Sequence, residues 1–128
     1  MSALTPVSWG ELVDKYTILV IKAERIQDEA KVRNVRVEME ALRPSMEEAR
    51  KASPQIGALE ARLKTINEKL WVIEDEIRDC ERQKDFGPRF VQLARSVYFT
   101  NDERAAVKRL INEALGSAIV EEKSYQAY

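Results

Sequence analysis

The sequence predicts an all-α fold: a long antiparallel coiled-coil-like helical hairpin braced by an N-terminal helix and two shorter C-terminal helices. Three observations predict it. Charged residues make up 34% of the chain while Gly and Pro number four each, which suits helices and starves turn-rich β architecture. Two successive stretches repeat apolar residues at alternating steps of three and four, the heptad signature. The 128 residues suffice for one domain with a core that needs no disulfide or metal. The chain reads as a single helical domain over 1–128, with the hairpin at about 29–83, a helical corner at about 88–115 and a docked tail at 116–128.

"SWGE" opens the first helix. Ser8 is the N-cap and Glu11, three residues on, completes a capping box before Leu12, Tyr16, Leu19, Ala23 and Ile26 recur at helical spacing, giving a helix over roughly 9–27. Asp28 caps the second helix, whose heptad runs Val32, Val35, Met39, Leu42, Met46, Ala49. "ASPQ" interrupts, and a second heptad follows without a gap: Ile56, Leu59, Leu63, Ile66, Leu70, Ile73, Ile77, Cys80. Folding these two helices onto each other about Ser53 and Pro54 pairs Ala49/Ile56, Met46/Leu59, Leu42/Leu63, Met39/Ile66, Val35/Leu70 and Val32/Ile73. The same register brings Lys31 near Glu76, Glu38 near Lys69 and Arg43 near Glu60, all of opposite sign. Gly87 ends the third helix or lies just beyond it, and Pro88 suits the first turn of a fourth, with Phe90, Leu93, Ala94 and Val97 buried. "TNDE" offers another capping box, so a fifth helix is expected to begin at Thr100 or Asn101 and end before Gly116, its core face being Val107, Leu110, Ile111 and Ala114. "SAIVEEKSYQAY" is expected to dock as extended chain and to contribute ordinary core.

Composition excludes several classes of function. Lys plus Arg (21) nearly balances Asp plus Glu (22), so no global field draws the protein to nucleic acid or an anionic membrane. With no histidine and one cysteine, the commonest general base and every usual zinc or haem arrangement are gone; no metal or cofactor is expected. Cys80 closes the heptad seam and reads as a small buried hydrophobe. The opening segment has no basic n-region, and its longest apolar run, Ile18 to Ile21, is too short for a span, so the expectation is cytoplasmic with no membrane span.

Two polar groupings stand out. Trp71, Glu74, Asp75, Arg78 and Arg82 form a stripe beside the heptad seam of the third helix. Arg104, Lys108 and Asn112 repeat every four residues, with Arg95, Tyr98 and Asn101 near the same end. The two can meet as a ligand site for an anion, gripped by guanidinium forks, or as a structural brace in which Glu74 and Asp75 pair with Arg95 or Arg104. The brace is the preferred reading. The region from 84 to 112 holds six cations and three anions, which raises a helix-turn-helix, yet Asp102 and Glu103 would face phosphates and nucleic acid is disfavoured.

"GELVDKYTILVIKAERI", "NEKLWVIEDEIRDCE", "FVQLARSVYFTNDERAAVKRLIN" and "GSAIVEEKSY" together resemble a family of small bacterial proteins of unknown function, nearly end to end. The family pattern carries over to Gly10, Glu11, Asp14, Lys15, Glu24, Arg25, Trp71, Glu74, Asp75, Arg78, Arg95, Tyr98, Asn101, Asp102, Arg104, Lys108, Asn112, Lys123 and Tyr125. The resemblance implies a supporting role beside surface-polysaccharide assembly, and no reaction. The functional expectation is a binding or scaffold module with a protein partner or a second copy of itself, and an anionic small molecule as the further ligand class. The enzymatic alternative is a chorismate-mutase-like helical enzyme, since "LVDKYTILVIKAERI" looks like the first helix of that class and the chemistry needs only cationic clamps around a dianion.

Overall fold

The computed structural model describes all 128 residues, as four helices and no strand. Helix α1 spans Trp9–Arg25, α2 Glu29–Ala52, α3 Ile56–Arg82 and α4 Pro88–Leu115. No helix is long and apolar enough to cross a membrane.

The helix ends follow local chemistry. Ser8 Oγ accepts the Glu11 N–H at 3.1 Å, and Asp28 Oδ1 accepts those of Ala30 and Lys31 at 2.9 and 3.1 Å. Only half of the first capping box forms, because the Glu11 carboxylate turns to Lys108 instead of its own cap. The left-handed residue that ends α3 is Lys84, at φ 55°, with the Asp85 N–H donating back to the Cys80 carbonyl at 2.9 Å. Gly87 precedes Pro88 as the cap of α4, in an extended conformation. Gly116, at φ 61°, closes α4, and the Ser117 N–H donates to the Asn112 carbonyl at 2.9 Å.

Two sequence expectations give way to tertiary packing. The first is the pair of short C-terminal helices, which is one helix of 28 residues running unbroken through Thr100 and Asn101. A cap needs an extended backbone and a hydroxyl free to accept a backbone N–H. Thr100 instead stays helical and is 1% exposed, and its hydroxyl has no partner. Neither Gly nor Pro stands between Pro88 and Gly116 to break the helix. The unbroken α4 thereby matches the 27 residues of α3.

The second is the hairpin partner. Helix α3 packs chiefly on α4, while α2 packs mainly on α1 and meets α3 only slightly. None of the three expected charge pairs between α2 and α3 forms: Glu38 pairs with Lys15, Arg43 with Glu40 and Glu60 with Arg50. Every heptad position of both helices is buried or half-buried, and close to the α2–α3 turn Met46 and Ala49 share the core with Ile56, Leu59 and Leu63. Helix α1 packs substantially on each of the other three. Around it lies the core of Val13, Tyr16, Met46, Ala49, Ile56, Leu59, Leu63, Val107 and Ile111. Each large side chain buried there contributes roughly 1.5–3 kcal/mol.

The far half of the α3–α4 hairpin is held differently. No ion pair or side-chain hydrogen bond ties α1 or α2 to α3 beyond Glu68, or to α4 before Arg104. Between residues 69 and 103 only Ile73, Cys80, Leu93 and Thr100 are buried. The accessible surface of 8795 Å² exceeds the roughly 6,900 Å² of a compact chain of 14.7 kDa. The tail is not core: residues 118–128 are all exposed, and polar and aromatic contacts hold them to α4.

Candidate functional site: an ionic ladder between α1 and α4

Arg104, Lys108 and Asn112 occupy successive turns of one face of α4 and meet the first turns of α1 in three rungs. On the outermost rung Asn112 Oδ1 accepts the Gly10 N–H at 2.7 Å. The two helices touch there so closely that a Cβ on Gly10 would lie 2.5 Å from the Lys108 carbonyl oxygen. On the middle rung the Lys108 ammonium donates to Glu11 at 2.6 Å and to Glu121 of the tail at 2.7 Å. On the innermost rung the Arg104 guanidinium grips the Asp14 carboxylate with two donors, Nε at 2.8 Å to Oδ1 and Nη2 to Oδ2.

Helix α3 completes the innermost rung. Asn67 Nδ2 donates to Asp14 Oδ1 at 2.9 Å and to Thr17 Oγ1 at 3.0 Å, and the Thr17 hydroxyl donates to the Asp14 backbone carbonyl at 2.8 Å. The Asp14 side chain is 1% exposed and that of Arg104 29%. Guanidinium and amide replace the hydration that a carboxylate so far from water loses. The hydrogen bond to Asp14 raises the Arg104 pKa above its usual value, outweighing burial, so the cation is permanent.

Burial opposes the charge on Lys108, yet its hydrogen bonds to Glu11 and Glu121 outweigh it and raise its pKa above 10.5. Glu121 is lowered from 4.5, chiefly by its hydrogen bond to Lys108. A depressed carboxylate contributes stability that is present above its unfolded pKa and lost as pH falls through the folded one. A raised ammonium contributes stability that is full below its unfolded pKa and lost as pH rises through the folded one. The Lys108–Glu121 contact is therefore expected to hold fully between pH 4.5 and 10.5 and to loosen beyond both limits. Amide chemical shifts of residues 121–123 followed against pH check this; a transition near about pH 7 contradicts it, since neither group titrates there.

Three of the ten residues singled out from sequence, Arg104, Lys108 and Asn112, lie in the ladder. The others lie elsewhere. Glu74 and Arg78 pair with each other at 3.3 Å on the exposed side of α3, Asp75 is exposed without a side-chain partner, and Trp71 is half-buried. Arg95 lies over the Phe99 ring at 5.9 Å, Tyr98 stacks on Phe99 and Tyr128, and Asn101 is half-buried. The expected brace of Glu74 or Asp75 with Arg95 or Arg104 is thus absent, and the acid that meets Arg104 is Asp14 of α1. Asn67 and Thr17 do not figure among the sequence expectations, Gly10 and Asp14 enter only through the family resemblance, and Glu11 enters through it and as half of a capping box. One signal was available: Asp14 and Thr17 interrupt "LVDKYTILVI" on the face that also carries Ile21, a polar pair where core is due.

The molecule is a four-helix protein whose first and last helices are locked by a partly buried ionic ladder. The chain belongs to the family of unknown function DUF6165, whose model matches residues 4–128. No curated protein and no solved structure matches it.

Proposed function

We infer that the protein is a helical binding module, a scaffold for a protein partner, rather than an enzyme. The observation that carries this reading is the closure of the ladder. Asp14, Arg104 and Lys108 are each satisfied by groups of the chain itself, so with the tail in place the ladder presents no unpaired acid, base or cationic clamp to a reacting substrate. The outer surface of the α3–α4 hairpin adds support: Val72, Phe86, Val91, Tyr98 and Phe99 each leave 40% or more of their surface in water. Large apolar side chains left this exposed on the two helices of a hairpin and its turn suit a protein interface, whether with a second copy or with a different protein.

The alternatives draw less support. A chorismate-mutase-like site needs a pocket with several free cations: the hollow lined by Lys108, Arg109 and Lys123 has about 230 Å³, less than the ~300–1,000 Å³ of ligand pockets, and the larger ones carry a single cation, Arg62 or Lys123, or the already paired Arg50 and Lys64. Helix-turn-helix binding needs a turn between two helices, and α4 has none. Calorimetric titration with succinate, malonate and inorganic phosphate tests the reading. No saturable heat is expected up to millimolar concentration; saturable binding that disappears in Lys108→Met would favour the enzyme instead.

A further inference from the structure

Beyond Gly116 the chain turns back and runs along α4 as an extended strap. Glu121 meets Lys108 at 2.7 Å and Glu122 meets Arg109 at 3.2 Å. Six residues farther on, Tyr128 packs against Phe99 and Tyr98, with ring centroids 4.6 and 5.5 Å away. Six residues of extended chain reach at most about 20 Å. The α4 segment from Phe99 to Arg109 rises about 15 Å. The acidic pair and the terminal ring are thus spaced to reach both ends of this segment at once.

The strap nevertheless fills its seat poorly. A hollow of about 560 Å³ lies between Tyr98 and Asp102 of α4 and Lys123, Tyr125 and Tyr128 of the strap. The smaller hollow beside Lys108 and Arg109 lies under Glu121 and Lys123. The Arg109–Glu122 pair is more than half exposed on both sides, and exposed pairs of this kind hold weakly. The position a Cβ would take on Gly116 has no neighbouring atom within 4 Å.

We propose that the face of α4 from Tyr98 to Arg109 is a docking site for an acidic peptide segment of a partner protein, and that the tail is its weak internal stand-in. The segment carries two adjacent carboxylates for Lys108 and Arg109 and an aromatic side chain about six residues on for Tyr98 and Phe99. Charge complementarity selects acid at the Arg109 end. The roughly 15 Å separation of the two ends selects a peptide over a small anion, which cannot span them. The proposal rests on the binding-module reading and names the chemistry of its partner. Because the tail is tethered, it competes at high effective concentration, and a partner enters by fitting the hollows better.

A fluorescein-labelled synthetic peptide with the sequence of residues 117–128 is the probe, titrated by anisotropy against the full-length protein and against full-length Glu121→Gln/Glu122→Gln. The variant is expected to bind about tenfold more tightly, its own strap being the weaker competitor. Binding is expected to be lost when Arg109→Glu is added, and when both glutamates of the peptide are replaced by glutamine. Equal affinity for the two proteins, or no binding to the variant, overturns the proposal. So does a gain in sedimenting mass of the variant over the parent, which would make a second copy's tail the occupant. A failed peptide titration leaves the binding-module reading standing, because the dianion titrations test that reading separately.

Discussion

Arg104→Ala is expected to lower the stability of the protein by about 3–5 kcal/mol, and Asp14→Asn by less, about 1.5–3 kcal/mol. The asymmetry follows from which partner can find water. The Asp14 side chain is 1% exposed, and without Arg104 it keeps Asn67 as its only side-chain donor, so a nearly bare carboxylate is left in the interior. Arg104 is 29% exposed, so when the carboxylate becomes an amide the guanidinium turns partly to solvent and keeps its hydration. Urea denaturation of both variants at neutral pH measures the difference. Equal losses would mean that Asp14 is reached by water once Arg104 is gone and that the innermost rung is wetter than its burial indicates.

Gly10→Ala should cost roughly 2–4 kcal/mol, a large effect for one methyl group. The added Cβ would lie 2.5 Å from the Lys108 carbonyl oxygen and 3.0 Å from Asn112 Oδ1. The first of these is helix backbone and cannot rotate away, so α1 must lift from α4. Lifting stretches the Gly10–Asn112 bond and pulls Glu11 from Lys108, one turn down the same ladder. Gly57→Ala is the control: nothing lies within 4 Å of its Cβ position, and the helix gains up to about 0.5–1 kcal/mol. A melting temperature for Gly10→Ala equal to the parent's would show that the two helices slide apart freely and that the outermost rung holds nothing.

Much of the architecture was legible because it is written in local chemistry. The Ser8 and Asp28 caps, the Pro88 start and the Gly116 stop depend on a residue and its neighbours within one turn, and each stands where the sequence puts it. The heptad on α3 is likewise a local property, and Cys80 at its end is fully buried. The extent of α4 was half legible. The Thr-Asn-Asp-Glu run is a sound cap signal, but the absence of Gly and Pro over the same stretch is a sound continuation signal. Packing on the long α3 favours continuation.

Partner choice lay beyond the sequence for a physical reason. A heptad states that a helix has an apolar seam, and every such seam is complementary to every other within a few side chains. The sequence therefore determined that α2 and α3 each bury one face. The tertiary structure decided that α3 pairs with α4 and that α2 lies on α1. Charge pairing across the α2–α3 register could not break the tie, since exposed pairs are worth at most about 1 kcal/mol and Glu38, Arg43 and Glu60 find other partners. The site followed the same division. That Arg104, Lys108 and Asn112 share one face of a helix is periodicity, and the sequence determined it. That the acids meeting them are Glu11 and Asp14 from the opposite end of the chain, with Asn67 between, is a fact of three helices converging, and only the fold decides which buried charge a buried charge will meet.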